Sequence, residues 1–208
     1  MLSAPLIGKS RHRLAIDGQG VTTLVAFHGC PLCCAYCLNH SCLEPGGVWR
    51  TLTTDELLRE VKIDDLYFQA TGGGICFGGG EPLLRAGFIA EFASIMPQEW
   101  KITVETSLNV GRSQVEQLLP LVSQWIVDVK DMSPYIYKRY AGKDNRRVVD
   151  NLKWLAQQGI TDSRILLRLP LIAGYNTADD VARSRAELQQ MGFSQFDEFA
   201  YVVRRSNY

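Results

Sequence analysis

No run of 18 uninterrupted apolar residues occurs in this 208-residue sequence, so no membrane-spanning helix is expected. Net charge is missing too. The 22 Lys plus Arg balance 22 Asp plus Glu, and no polybasic run or basic helical stripe stands out. A nucleic-acid backbone is therefore not expected as the main partner. Arg11-His12-Arg13 and Arg204-Arg205 are short enough to read as solvated surface. Low-complexity tracts and Pro/Gly/Ser linkers are absent, so residues 1–208 are expected to form one domain with a substantial core. The first ten residues lack a charged segment followed by a long apolar one, and no signal peptide is expected. Cysteine is scarce except in one place: Cys30, Cys33, Cys34, Cys37 and Cys42 fall within 13 positions, and Cys76 stands alone. A disulfide scaffold would spread its cysteines, so the pattern points to a reduced, cytoplasmic, metal-binding protein.

What is present is an alternation of short apolar runs with helical patterns. Val21–Phe27 is β-branched and apolar, a buried strand that delivers the chain into the cysteine loop. Thr53-Thr54-Asp55-Glu56 opens a helix with a capping-box pattern. Further strands are predicted over Gly74–Gly78, Ile102–Thr106, Trp125–Lys130, Ile165–Leu169 and Phe196–Val203. Helical patterns lie between them: Phe88 to Ile95, Val115 to Leu119, 148–158 and 178–191. Strands separated by helices imply a parallel sheet with right-handed crossovers. The polar candidates all fall at C-terminal strand ends, where barrels place their sites. The expected fold is therefore α/β, a partial (β/α)6 TIM-like barrel of parallel strands, open on one side.

Cys30, Cys34 and Cys37 have the spacing Cys-x3-Cys-x2-Cys, and three thiolates on one tight loop can hold three corners of a cubane iron–sulfur cluster. The fourth iron would then be open to chemistry. The rival is a closed tetrahedral zinc site made by the same three cysteines with His40, or with Cys42 in its place. One strand later comes Gly78-Gly79-Gly80-Glu81-Pro82, a turn whose glycines let a ligand lie against bare backbone with amides free to bond. Glu81 adds a carboxylate suited to an ammonium group, although a flexible turn would look the same.

Taken together, the cysteine loop, this turn, and Glu105-Thr106, Asp128-Val129-Lys130 and Arg168 in that order resemble the radical S-adenosylmethionine (AdoMet) enzymes. More closely, they resemble the activating enzymes of glycyl-radical enzymes. Ile16-Asp17-Gly18-Gln19-Gly20-Val21 and Cys34-Ala35-Tyr36-Cys37-Leu38-Asn39 add to the likeness. The resemblance implies a 4Fe–4S cluster on Cys30, Cys34 and Cys37, with AdoMet chelating the unique iron. It assigns the methionyl amine to Gly78, Gly79, Gly80 and Glu81, and places Tyr36 by the adenine. Lys130 and Arg168 would serve the AdoMet carboxylate or ribose, and a monovalent cation would sit beside Glu105, Thr106 and Asp128. An ordinary Asp128–Lys130 salt bridge is the bland alternative. Asp17 is a candidate substrate contact or a turn-forming residue. His12, His28 and His40 read as structural or surface, Cys33 and Cys42 as non-ligands, and Cys76 as core.

The sequence departs from the family in two ways. Where the family often carries Pro-Tyr-His, it reads Phe199-Ala200-Tyr201-Val202, and it ends sooner than a typical activating enzyme. The expected reaction is reductive cleavage of AdoMet to a 5′-deoxyadenosyl radical under anaerobic conditions, with a flavodoxin- or ferredoxin-type electron donor. The radical would take a glycine Cα hydrogen from a partner glycyl-radical enzyme. Other substrates, as in a peptide maturase or a 7-carboxy-7-deazaguanine synthase, and a zinc-stabilised module without activity are the alternatives.

Overall fold

A computed structural model describes residues 1–14 and 16–201. Its centre is one eight-stranded sheet. The strands are β1 (Ser3–Leu14), β2 (Val21–Phe27), β3 (Arg50–Thr53), β4 (Gly74–Gly79), β5 (Lys101–Thr106), β6 (Gln124–Asp128), β7 (Ile165–Leu171) and β8 (Phe196–Ala200). The helices are α1 (Thr54–Val61), α2 (Asp65–Thr71), α3 (Ala86–Ile95), α4 (Arg112–Leu118), α5 (Pro134–Ala141), α6 (Arg146–Gln157) and α7 (Ala178–Gln190). Spatial order is β3-β1-β2-β4-β5-β6-β7-β8, and the neighbours from β2 to β8 are parallel. These six parallel strands are the six expected, and the sheet stays open. Among the described residues no helix is long and apolar enough to cross a membrane.

The sequence pattern misses the antiparallel edge. β1 pairs with β2 on one side and β3 on the other. Its run SAPLIGKSRHRL carries Pro5, Gly8 and four basic or imidazole side chains, which hide the alternation. Arg11 and His12 are exposed, as expected, yet all three side chains of Arg11-His12-Arg13 also engage carboxylates. Arg11 donates from Nε to both oxygens of Asp64 at 3.0 Å, and His12 Nε2 lies 3.0 Å from the same carboxylate. Asp64 is buried and also accepts from Thr23 Oγ1 on β2 at 2.8 Å, so it ties the hairpin together. Arg13 pairs with Asp17. Helices α2 and α5 are also unexpected; Phe68 on α2 packs edge-on to Trp100 at 4.9 Å.

Elsewhere local chemistry and structure agree. Thr53 caps α1 with the reciprocal bonds Thr53 N to Glu56 Oε2 at 2.8 Å and Glu56 N to Thr53 Oγ1 at 3.3 Å. β2, parallel to β4 and antiparallel to β1, is buried along nearly its whole length, as a strand covered on both faces should be. Phe27 stacks on Phe77 at 5.5 Å and meets Phe88 edge-on at 5.6 Å, while Phe77 meets Phe92 at 5.6 Å. Burying each such ring is worth about 1.5–3 kcal/mol over leaving it exposed. This packing sits directly beneath the loop that β2 feeds. Of the last predicted strand, residues 196–200 form β8; 202 and 203, like Arg204-Arg205, lie outside the described residues.

Candidate active site

The loop after β2 is pinned along its length by main-chain bonds. His28 N donates to Pro5 O, Gly29 N to Cys42 O, Cys33 N to Ala141 O and Ala35 N to Tyr140 O, all at 2.9–3.0 Å. Cys37 N closes a turn onto Cys34 O at 3.2 Å. Cys30, Cys34 and Cys37 are half-buried, Cys33 is exposed, and Cys42 and Cys76 are buried. Burial pushes the Cys30 thiol up to about 12 and also raises Cys34, which Lys130 partly offsets. Metal is thus what would draw the protons off these thiols.

A tetrahedral zinc needs four donors within about 2.0–2.3 Å of one point. Among the described residues no group of three His, Cys, Asp or Glu side chains converges on a single ion, and His40 lies 3.7 Å from Glu44. Cys30, Cys34 and Cys37, half-buried on one braced loop, are the thiols that would hold a 4Fe–4S cluster.

The glycine turn is built differently from the expectation of free amides. Gly80 N donates to Phe27 O at 2.9 Å and Glu81 N to Gly29 O at 2.8 Å, so both amides hold the cysteine loop. Contact is close: a Cβ on Gly79, at φ +91°, would stand 2.7 Å from Ala26 Cα, and one on Gly80 would stand 2.2 Å from Gly29 O. Gly78 borders the floor of the mouth, where its Cβ would lie 3.1 Å from Glu105 Oε2. What the turn offers is carbonyl capacity; Gly79 O accepts from Asn39 Nδ2 at 3.0 Å and keeps a second lone pair.

Glu81 faces inward. Its carboxylate is 1% exposed and accepts from Thr106 Oγ1 at 2.6 Å, Ser107 Oγ at 2.6 Å, Ser107 N at 2.9 Å and Leu83 N at 3.2 Å. Burial nonetheless raises its pKa above the ordinary carboxylate value, with the four bonds pulling the other way. Thr106 is spent in the same knot, donating to Glu81 and accepting from Leu108 N at 2.9 Å.

The remaining candidates meet as ion pairs at the ends of β5 and β6 and midway along β7. Arg168 donates from Nη1 to Glu105 Oε1 and from Nη2 to Ile16 O, both at 2.7 Å. Lys130 Nζ donates to Asp128 Oδ2 at 2.9 Å. Register brings Asp128 beside Arg168. Burial raises Glu105, against the pull of Arg168, whereas Asp128 is held low because Lys130 and Arg168 outweigh its burial. Asp17 is 1% exposed and bound to Arg13, on the inner side of the same cluster.

Four tyrosines frame the loop, and three of them carry no sequence signal. The Tyr36 ring meets Tyr140 at 6.2 Å and Tyr175 at 5.6 Å. Tyr201 donates from its hydroxyl to Tyr36 O at 2.7 Å. The strand that lacks the family's histidine therefore still reaches the cysteine loop. Only a contact across 165 residues shows it.

A model of the radical SAM superfamily matches residues 24–184. The pyruvate formate-lyase 2-activating enzyme of Escherichia coli K12 is 29% identical over 205 residues, covering 84% of this chain and 67% of its own length. The (2S)-3-sulfopropanediol dehydratase activating enzyme of Klebsiella oxytoca is 31% identical over 187 residues, covering 82% of this chain and 58% of its own. In fold, the chain resembles Streptococcus suis SuiB bound to S-adenosylmethionine, with a TM-score of 0.66 at 14% identity over 89% of this chain and 43% of SuiB.

Proposed function

The chain belongs to the radical SAM superfamily, and from that premise we propose that it activates a partner enzyme by removing a hydrogen atom from a glycine Cα. Enzymes of this superfamily use a 4Fe–4S cluster to supply one electron to AdoMet, which yields methionine and a 5′-deoxyadenosyl radical. The observation that carries the finer reading is the similarity, over more than 80% of the chain, to activating enzymes named for two different partners. The likeness to SuiB speaks for the fold and does not favour peptide maturation.

In this reading Cys30, Cys34 and Cys37 hold the cluster on a loop already braced from β1, the Cys42 segment and α5. The carbonyls of Gly78, Gly79 and Gly80 receive the methionyl amine, because the Glu81 carboxylate is used in bracing Ser107 and Thr106. Tyr36, held by Tyr201, shapes the adenine side. Lys130 and Arg168 keep the carboxylates of Asp128 and Glu105 neutralised at the mouth, and Asp17 orders Arg13 beneath them. A monovalent cation at Glu105, Thr106 and Asp128 would compete with Arg168 and Lys130 for the same oxygens. The barrel's contribution is placement and exclusion of water, since a primary carbon radical attacks nearly any C–H bond held against it. All six cysteines are free, which suits a cytoplasmic, anaerobic setting.

The test is anaerobic reconstitution with iron and sulfide, reduction, addition of AdoMet and a candidate partner, and electron paramagnetic resonance. A glycyl-radical doublet on the partner supports the proposal. Formation of 5′-deoxyadenosine with no partner radical rejects activation of that partner while leaving the superfamily chemistry in place.

A further inference from the structure

The strongest charged patch outside the mouth is the corner joining α5 to α6. Lys138, Arg139, Lys143, Arg146 and Arg147 lie within ten residues, all exposed, with Asp144 the one acid among them, in a chain of zero formal charge. Asp144 is taken up by Arg146 at 3.0 Å, and Arg139 donates to the carbonyls of Gly174 and Tyr175 at 2.8 Å. None of the ion pairs among the described residues involves Lys138, Lys143 or Arg147. The placement also opposes helix stability. The first turn of α6 holds two arginines and no acid, at the end where the helix dipole is already positive. Asp144 and Asp150 offset part of that charge, and the basic side chains without an ion pair are left to meet a complement from outside.

The corner is joined to the cysteine loop. Ala141 O and Tyr140 O, at the end of α5, accept the amides of Cys33 and Ala35. A Cβ on Gly142 would lie 3.6 Å from Cys33 Cβ. Cys33 is exposed on this side, and the 71%-exposed Tyr135, covered by the Arg139 guanidinium at 5.8 Å, adds an aromatic contact. A partner seated on the corner therefore lies against the backbone that carries Cys34.

We propose that the α5–α6 corner is the docking surface for a small acidic one-electron carrier of the flavodoxin or ferredoxin class. The proposal rests on the superfamily reading. In the step it serves, the reduced carrier loses one electron and the cluster's net charge falls by one, with no bond made or broken. Complementary charge raises association rates by about 10- to 1,000-fold and loses that effect as salt rises.

The test uses the cluster-loaded protein and a recombinant acidic flavodoxin. Affinity is measured by calorimetry with the oxidised carrier, and cluster reduction by stopped-flow absorbance with the reduced one. The variant Lys138→Glu/Lys143→Glu/Arg147→Glu should bind at least about tenfold more weakly at low salt and lose the salt dependence. Its reduction by photoreduced 5-deazariboflavin should match the unaltered protein. The Gln triple variant at the same positions should fall between, and it serves if charge reversal impairs folding. Lys62→Glu/Lys101→Glu, at exposed positions away from the corner, should change little. Unchanged carrier affinity in the corner variant, or an equal loss in the control variant, overturns the proposal. So does loss of partner-enzyme binding with carrier affinity intact. Failure of the superfamily reading looks different: the unaltered protein would not cleave AdoMet even with deazaflavin.

Discussion

Replacing Glu81 separates a brace from a ligand. Glu81→Ala deletes the acceptor of four buried bonds. The Thr106 and Ser107 hydroxyls can turn to other partners, but Ser107 N and Leu83 N are fixed by the backbone. Each buried donor left unpaired costs about 1–3 kcal/mol, so the loss should be about 4 kcal/mol. For a chain of this size that is a melting-point drop of about 8–16 °C. Glu81→Gln keeps one oxygen for Ser107 N and can offer its amide to the Thr106 hydroxyl, but that amide leaves Leu83 N without an acceptor. Removing a carboxylate whose burial is costly also gives something back. The Gln variant should therefore melt no more than about 4–8 °C below the unaltered protein, about half the drop of Glu81→Ala. The assay is thermal unfolding followed by circular dichroism, with and without the cluster, beside AdoMet affinity by calorimetry. If Glu81→Ala melts within about 2 °C of the parent yet loses AdoMet binding, the carboxylate is a ligand and the bracing argument fails.

The same residue sets a pH signature. Because burial raises its pKa, Glu81 contributes stability that is fully present below the unfolded value of about 4.3 and is lost as pH rises through its higher folded value. The difference in unfolding free energy between parent and Glu81→Gln should fall across that window, and a flat difference would contradict it. Cys34→Ala should lose both iron and AdoMet cleavage, whereas Cys33→Ala should keep both; iron analysis and 5′-deoxyadenosine yield decide. Tyr201→Phe removes the bond to Tyr36 O, which should cost about 0.5–1.5 kcal/mol of stability and weaken AdoMet binding several-fold, read by calorimetry. Asp64→Ala should destabilise by about 1–2 kcal/mol, because Thr23 loses its partner while Arg11 can return to water; a change under about 0.5 kcal/mol in chemical denaturation would refute the hairpin tie.

What the sequence determined by itself is what is encoded locally. The cysteine spacing, the capping box at Thr53 and the β-branched run of β2 depend on neighbours a few positions apart, and so do the alternations that become six parallel strands. These also sufficed to place Glu105 and Asp128 at one end of the sheet, since strand ends can be read from where apolar runs stop. What only the tertiary structure decided is which way each polar group is spent. Whether Glu81 faces a ligand or Ser107, or the Gly80 amide a ligand or Phe27 O, depends on chains far apart in sequence. Whether Arg11 meets water alone or Asp64 as well depends on a hairpin whose first strand is hidden by its own charges. Tyr201, Tyr140 and Tyr175 gather on the cysteine loop only once the sheet curves, and the basic corner gains its meaning from the loop packed against it. Side-chain type limits what chemistry is available; long-range packing selects the partner that each group meets.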